Sequence, residues 1–133
     1  MTIISHGIDL VEIARIRDVL ERHGDRFMQR ILTERERQRA AEYKDPVPFI
    51  AGRWAAKESI LKVIGTGWRG QIAWTDMEIL PDHLGAPQVS LKGEVRNKAD
   101  KLGIRNVLLS ITHTDNTAAA SAIAVGLPPS TTL

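Results

Sequence analysis

The chain has 133 residues, 43% hydrophobic and 26% charged, with a formal net charge of +2, which suits one globular domain and is too short for two independent ones. It contains no cysteine, so disulfide and thiolate chemistry are out, a reducing cytoplasm is the expected compartment, and any metal must use oxygen or histidine donors. No basic segment precedes the first apolar residues and no apolar run approaches bilayer length, so neither a signal peptide nor a membrane span is expected. Charges of both signs interleave and aromatic residues make up 5%, which speaks against a nucleic-acid surface despite a sequence pI near 9.2.

Ile3 to Leu10 reads as a strand in which Gly7 marks a bend or a close backbone approach. From Val11 to Arg22 the apolar residues recur at helical spacing, which predicts a strand-to-helix junction at Asp9, and His23-Gly24 ends the pattern. A second helical segment follows from Asp25, and Thr33-Glu34-Arg35-Glu36 is a capping signature that opens a third, surface-lying helix to about Tyr43. Pro46 and Pro48 make a turn before the most apolar helix of the chain, which runs to Ile64 and stops at Gly65-Thr66-Gly67. Ile72 to Leu80 suggests a strand or strand pair, Pro81 to Gly85 a turn, Gln88 to Leu91 a short strand, and Val95 to Leu102 a polar helix. Asn106 to Thr112 is a strong strand, and Thr117 to Gly126 reads as its hairpin partner, although its alanines would equally suit a helix. Residues 127–133 are expected to fray. The order predicts a single α+β domain, 1–133, with helices packed on a mainly antiparallel sheet.

Four groups could carry chemistry. Asp9 and Glu58 both sit in apolar sequence, where a carboxylate needs compensation, and two carboxylates converging on a divalent ion would provide it; singly, each also reads as a cap or surface charge. Glu58 and Lys62 stand four apart in the order that favours a helical ion pair, while Lys62 with Arg53 or Lys57 could instead clamp a phosphate. Gly65 and Gly67 lie at the carboxyl end of a helix, so a phosphate there would be held by loop amides rather than by the dipole. His113, between Thr112 and Thr114, could touch a nucleotide or phosphate, or be a strand-end hydrogen-bonder, and His6 reads as a structural hydrogen-bonder. There is no GxxxxGK[ST] loop, no GxGxxG opening a helix after a strand, and no GxSxG elbow. Arg15, Arg22 and Arg26 recur at helical spacing if the Gly24 turn is tight, either as part of a solvated face or as a basic stripe for an acidic partner.

Three stretches, Gly7-Ile8-Asp9 to Ile13, Arg53-Trp54-Ala55-Ala56-Lys57-Glu58 to Gly67, and Ser110-Ile111-Thr112-His113-Thr114, resemble in order and separation the short bacterial 4'-phosphopantetheinyl transferases, the holo-[acyl-carrier-protein] synthase family. The resemblance spans nearly the whole chain. It implies that family's fold and the transfer of the 4'-phosphopantetheine arm of coenzyme A to a serine of apo acyl carrier protein, with release of adenosine 3',5'-bisphosphate. It further implies Mg2+ on Asp9 and Glu58, phosphate contact by Lys62, nucleotide contact by His113, carrier docking on Arg15 and less directly Arg22 and Arg26, and a homotrimer with active sites between subunits. Arg53, Lys57, Gly65, Gly67 and Thr114 complete the expected coenzyme A set. Ser59 and Ala86 depart from the family's frequent alanine and lysine; the second removes a charge near the expected coenzyme A region. The rival functions are a non-catalytic binder of an acidic carrier and a different magnesium-dependent phosphate-transfer enzyme.

Overall fold

In the computed structural model, which describes residues 1–65 and 72–129, one long helix lies across a three-stranded antiparallel sheet. Strand β1 (Thr2–Glu12) leads into α1 (Ile13–His23), α2 (Asp25–Ile31) and α3 (Glu34–Ala40), and then into the long helix α4 (Val47–Ile64). After a single 3-10 turn at Trp74–Asp76 come the hairpin β2 (Met77–Pro81) and β3 (Pro87–Leu91), helix α5 (Gly93–Lys101), and the hairpin β4 (Ile104–His113) and β5 (Thr117–Gly126). The sheet order is β1-β5-β4, with β2-β3 as a separate two-stranded sheet.

The alanines that left the last segment open are explained by this order. β5 is the central strand, and Ala118, Ala120, Ala122 and Ala124 all point under α4 and are buried. Small side chains there let the helix approach the sheet closely, while Thr117, Ala119, Ser121, Ile123 and Val125 alternate onto the other face. Among the described residues no helix lies over that other face. Ile8, Leu10 and Leu108 lie on it with 58%, 66% and 51% of their surface exposed.

Several expected boundaries move, α3 stopping at Ala40 rather than near Tyr43 and β4 starting at Ile104. β1 stays paired through Leu10 with Ala119, Val11 with Ala118 and Glu12 with Thr117, so the helix begins only at Ile13 and Asp9 lies inside the strand rather than at a junction. The apolar stretch from Ile72 gives a strand only from Met77, because Trp74–Asp76 is a 3-10 turn whose Trp74 stacks on Trp54 of α4 at 4.8 Å between ring centroids. At the other end Leu127 N–H donates to the Gly103 carbonyl at 3.0 Å, one residue past β5; positions 130–133 of the expected tail lie outside the described residues.

The core sits between α4 and the sheet and continues under α2 and β2. Leu32, Ile50, Ile60, Met77 and Ile79 are fully buried, each contributing about 1.5–3 kcal/mol of burial free energy. α4 is tilted across the strands. Near its start Gly52 lies over Ile111 of β4, and near its end Ser59, Lys62 and Val63 press on Gly7 of β1. A β-carbon on Gly7 would run into the Ser59 carbonyl oxygen, so of the two roles the sequence left open for this glycine, close backbone approach is the one the fold uses.

Candidate active site

The Gly7 contact draws three of the expected residues together. Asp9, two residues along β1 on the same face, is brought beside the end of α4. There Lys62 Nζ donates to the Ile8 carbonyl at 2.8 Å and to Asp9 Oδ1 at 3.1 Å. Glu58, one turn earlier on the helix, is near enough to both that their charges act on it. Burial raises the pKa of its carboxyl above the ordinary glutamate value and Asp9 raises it further, against the opposing charges of Lys62 and Arg15. The helical Glu58–Lys62 ion pair is therefore displaced. Lys62 reaches across to β1, because Asp9 and the Ile8 carbonyl together offer it a better-defined pair of acceptors.

Asp9 and Glu58 form a cluster of two hard oxygen donors. Among the described residues no group of three or more His, Cys, Asp or Glu side chains converges. Two carboxylates that repel one another suit a divalent ion that takes its remaining ligands from water and substrate phosphates, as magnesium does. Arg15, on the exposed first turn of α1, belongs to the same surroundings through its effect on Glu58. Arg22 and Arg26 are exposed farther on, and Arg22 Nε pairs with Asp18 at 3.3 Å.

A second cluster lies toward the opposite, β4 side of α4. A cleft of about 390 Å3 is lined by Tyr43, Asp45, Phe49, Arg53, Ile111 and His113, with Pro81, Gly85 and Pro87 on its far wall. The Arg53 guanidinium sits 4.3 Å from the Phe49 ring centroid, and Tyr43 stacks on Phe49 at 5.1 Å. Burial lowers the Arg53 pKa, but a guanidinium stays charged. Its Nε is buried without a hydrogen-bond partner among the described residues. A cation beside an aromatic plane, with His113 at the rim, is suited to an anionic ligand that carries a flat ring. Asp45 is held by Arg17 of α1 at 2.9 Å, and the Arg17 hydrogen bond lowers its pKa.

The structure gives several expected residues contacts of their own within the fold. Lys57 does not reach a phosphate-binding surface. It is fully buried, donating to Glu36 Oε1 and to the Ile31 carbonyl, both at 2.6 Å, because its side chain leaves α4 toward α2 and α3 while Glu58, the next residue, leaves toward β1. Gly65 takes up φ 75° as the left-handed cap of α4, and its N–H is bonded to the Lys62 carbonyl at 3.1 Å. That amide is committed to the helix end rather than free for an anion. Gly67 lies outside the described residues. The Thr114 hydroxyl accepts from the Asn116 and Thr117 amides at 3.2 and 3.1 Å and so shapes the β4–β5 turn. His6 bonds Ser121 Oγ at 2.9 Å, the structural role read for it.

The sequence pattern assigns no role at the site to Tyr43 or Phe49, and to Glu36 only that of a cap. Glu36 is fully buried although its helix is polar. The capping signature pointed to it but accounts for only one of its oxygens: Oε1 accepts from Thr33 N–H, and Oε2 accepts from Ile79 N–H at 2.9 Å. No spacing signals the Tyr43-Phe49 stack, which depends on the turn at Pro46 folding one residue back over the other.

A model of the 4'-phosphopantetheinyl transferase superfamily matches residues 5–121. The chain belongs to this family. The holo-[acyl-carrier-protein] synthase of Caldanaerobacter subterraneus subsp. tengcongensis is 45% identical over 120 residues, 90% of this chain and 93% of the relative. Among solved structures, the holo-[acyl-carrier-protein] synthase of Neisseria meningitidis superposes with a TM-score of 0.84 at 34% identity, over 93% of this chain and 99% of that one. The enzyme of Bacillus anthracis, solved in complex with CoA (3',5'-ADP), gives a TM-score of 0.77 at 36% identity, over 93% and 97% of the two chains. The family's α+β fold, helices against an antiparallel sheet, is the one observed here. Among the described residues no helix is long and apolar enough to cross a membrane.

Proposed function

We propose that Asp9, Glu58 and Lys62 are the reacting centre with which this chain, a holo-[acyl-carrier-protein] synthase by family, moves the 4'-phosphopantetheine arm of coenzyme A onto a serine of apo acyl carrier protein. The observation that carries the assignment is their convergence where Gly7 lets β1 touch α4. Bound between Asp9 and Glu58, Mg2+ would offset their repulsion and neutralise charge on the coenzyme A pyrophosphate. Lys62, whose side chain is 54% exposed, can turn its ammonium from the Ile8 carbonyl to a phosphate oxygen and stabilise the leaving group. The carrier serine hydroxyl attacks the phosphorus that bears the pantetheine arm, its proton passing to Glu58 or to a water, as the pyrophosphate P–O bond breaks and adenosine 3',5'-bisphosphate departs. Phosphoryl-type transfer of this kind depends on positioning and charge stabilisation rather than on a protein nucleophile, in keeping with a chain that has no cysteine and no serine elbow.

The cleft at Arg53 and His113 suits the adenosine bisphosphate end of the same molecule, with the guanidinium on phosphate and the Tyr43-Phe49 plane near the base. It lies on the β4 side of α4, whereas the carboxylates lie on the β1 side. A trimer in which the β4 side of one protomer meets the β1 side of the next would complete the site, and the uncovered sheet face with Ile8, Leu10 and Leu108 supplies an apolar surface for it. Exposed Arg15, with Arg22 and Arg26 beyond it, would receive the acidic carrier. The lack of cysteine fits work in the cytoplasm.

Mass spectrometry of apo carrier protein incubated with coenzyme A, Mg2+ and this chain should show one phosphopantetheine arm added to its serine, with adenosine 3',5'-bisphosphate released in step. Asp9→Ala and Glu58→Ala should each lower turnover by orders of magnitude with the fold retained. No gain on any of several carriers would end the enzymatic assignment, and unchanged turnover in either variant would end the metal assignment.

A further inference from the structure

α4 is apolar around nearly its whole circumference, with Ile50, Ala51, Ala55, Ile60, Leu61 and Val63 all buried. A helix with apolar residues on every side has no amphipathic preference to fix its rotation about its own axis. Rotation matters here because successive residues are about 100° apart, so a slip by one position would swing Glu58 away from Asp9. Apolar packing tolerates such slips better than polar pairing does, since one apolar neighbour substitutes for another.

Lys57 is the fully buried charge on this helix. Its ammonium joins the last carbonyl of α2, at Ile31, to Glu36 in the first turn of α3. Glu36 in turn accepts from the Thr33 amide at 2.9 Å and from Ile79 N–H of β2 at 2.9 Å, and Thr33 Oγ1 donates to Glu78 Oε2 at 2.6 Å. One buried pair thus ties α2, α3, α4 and β2 together. On the other side of α4, the Gly7 contact sets how close the helix lies to β1. Turning Lys57 out of register would leave two charges buried apart, a penalty that no apolar slip carries.

We propose that the Lys57-Glu36 pair is a positioning device that fixes the rotation of α4, so that Glu58 faces Asp9 across the Gly7 contact. Lys57 acts on the reaction through Glu58 and touches no substrate itself. The inference rests on the reading of Asp9 and Glu58 as ligands of a divalent cation.

The test is Mn2+ titration in the presence of coenzyme A, followed by electron paramagnetic resonance of the free ion, alongside steady-state kinetics. Lys57→Met/Glu36→Gln removes both charges while keeping volume and an acceptor for the Ile79 amide, a replacement that buried pairs often tolerate. In this variant, folded by circular dichroism, Mn2+ affinity should fall about ten- to a hundredfold. The kcat should fall in parallel, with KM for the carrier protein little changed. Val95→Ala, a core truncation on α5, should lose stability and keep wild-type Mn2+ affinity. A folded double variant with wild-type affinity and kcat overturns the proposal. Should the double variant not fold, Thr33→Val, which removes the hydroxyl that accepts from the Glu36 amide and donates to Glu78 and so loosens the seat of Glu36, is expected to weaken Mn2+ binding about threefold, a smaller disturbance of the same outer shell, and Thr33→Ser to restore it. Wild-type affinity in Thr33→Val likewise overturns it. Wild-type affinity in Glu58→Gln would instead remove the metal reading beneath it.

Discussion

Gly7→Ala tests the contact on which the site depends. The added methyl would run into the Ser59 carbonyl oxygen and stand 3.0 Å from Lys62 Cβ and 3.2 Å from Val63 Cγ2. Carbon pairs pack best at about 3.5–4.0 Å, so both carbon contacts are short by roughly half an ångström and the oxygen contact by more. None of these atoms is the free end of a flexible chain, and β1 and α4 must therefore part by about 1 Å. Overpacking of this kind costs about 1–3 kcal/mol, and a backbone oxygen that cannot yield puts the expectation near the upper end, with a Tm loss on the order of 10 °C. Because Asp9 and Glu58 lie on the two elements pushed apart, a shift of about 1 Å should also lower kcat about a hundredfold. Urea unfolding gives the stability, and mass-spectrometric initial rates on apo carrier protein give kcat, measured below the variant's unfolding transition. If Gly7→Ala retained wild-type stability and a kcat within about twofold, far from the hundredfold expected of such a displacement, the close approach would not be what brings the carboxylates together.

Lys57→Ala removes one partner of the buried pair and strands Glu36, so urea unfolding should record a loss of about 3–5 kcal/mol, more than for the Lys57→Met/Glu36→Gln double variant; the reverse order would show that the pair is not buried as described. Lys62→Met keeps a half-exposed stem and loses an ion pair worth about 1 kcal/mol at most, yet turnover should fall about a hundred- to a thousandfold, and a small kinetic effect would remove Lys62 from the reacting centre. The raised pKa of Glu58 means that its contribution to the stability of the metal-free fold is fully present below the ordinary glutamate range and is lost as pH rises through the raised folded-state value. Glu58→Gln should therefore melt higher than wild type in EDTA at neutral pH, with the difference closing toward acid, and should lose the stabilisation that Mg2+ gives wild type; a lower melting temperature for the variant in EDTA would contradict the burial of that carboxylate.

Much of the architecture was legible because its signals are local. The capping signature at Thr33 opens α3 with both reciprocal hydrogen bonds, Pro48 lies in the first turn of α4, Gly65 closes that helix in the left-handed conformation, and the strong strand ending in His113 forms the predicted hairpin. The candidate site was legible where three stretches of sequence resemble a family, and a match to residues 5–121 bears the family out. Asp9 was found but placed at a junction, because Val11 and Ile13 fit a helical period as well as a strand's alternation; pairing with β5 decided for the strand.

By itself, then, the sequence determined most of the elements, their order and the family, since caps, turns and periodicity act over a few residues and the three family stretches can be read in line. Tertiary structure alone decided which way neighbouring side chains on α4 face. Lys57 and Glu58 are adjacent charges on a helix whose surroundings are apolar on nearly every side, and no period can tell which of them meets a buried partner and which the open edge of the sheet. Glu36, forty-three residues from the Ile79 amide it binds, took Lys57 into the interior, and Gly7 brought Asp9 up to Glu58. Both are contacts between segments distant along the chain, so their outcome depends on packing geometry that no local pattern carries.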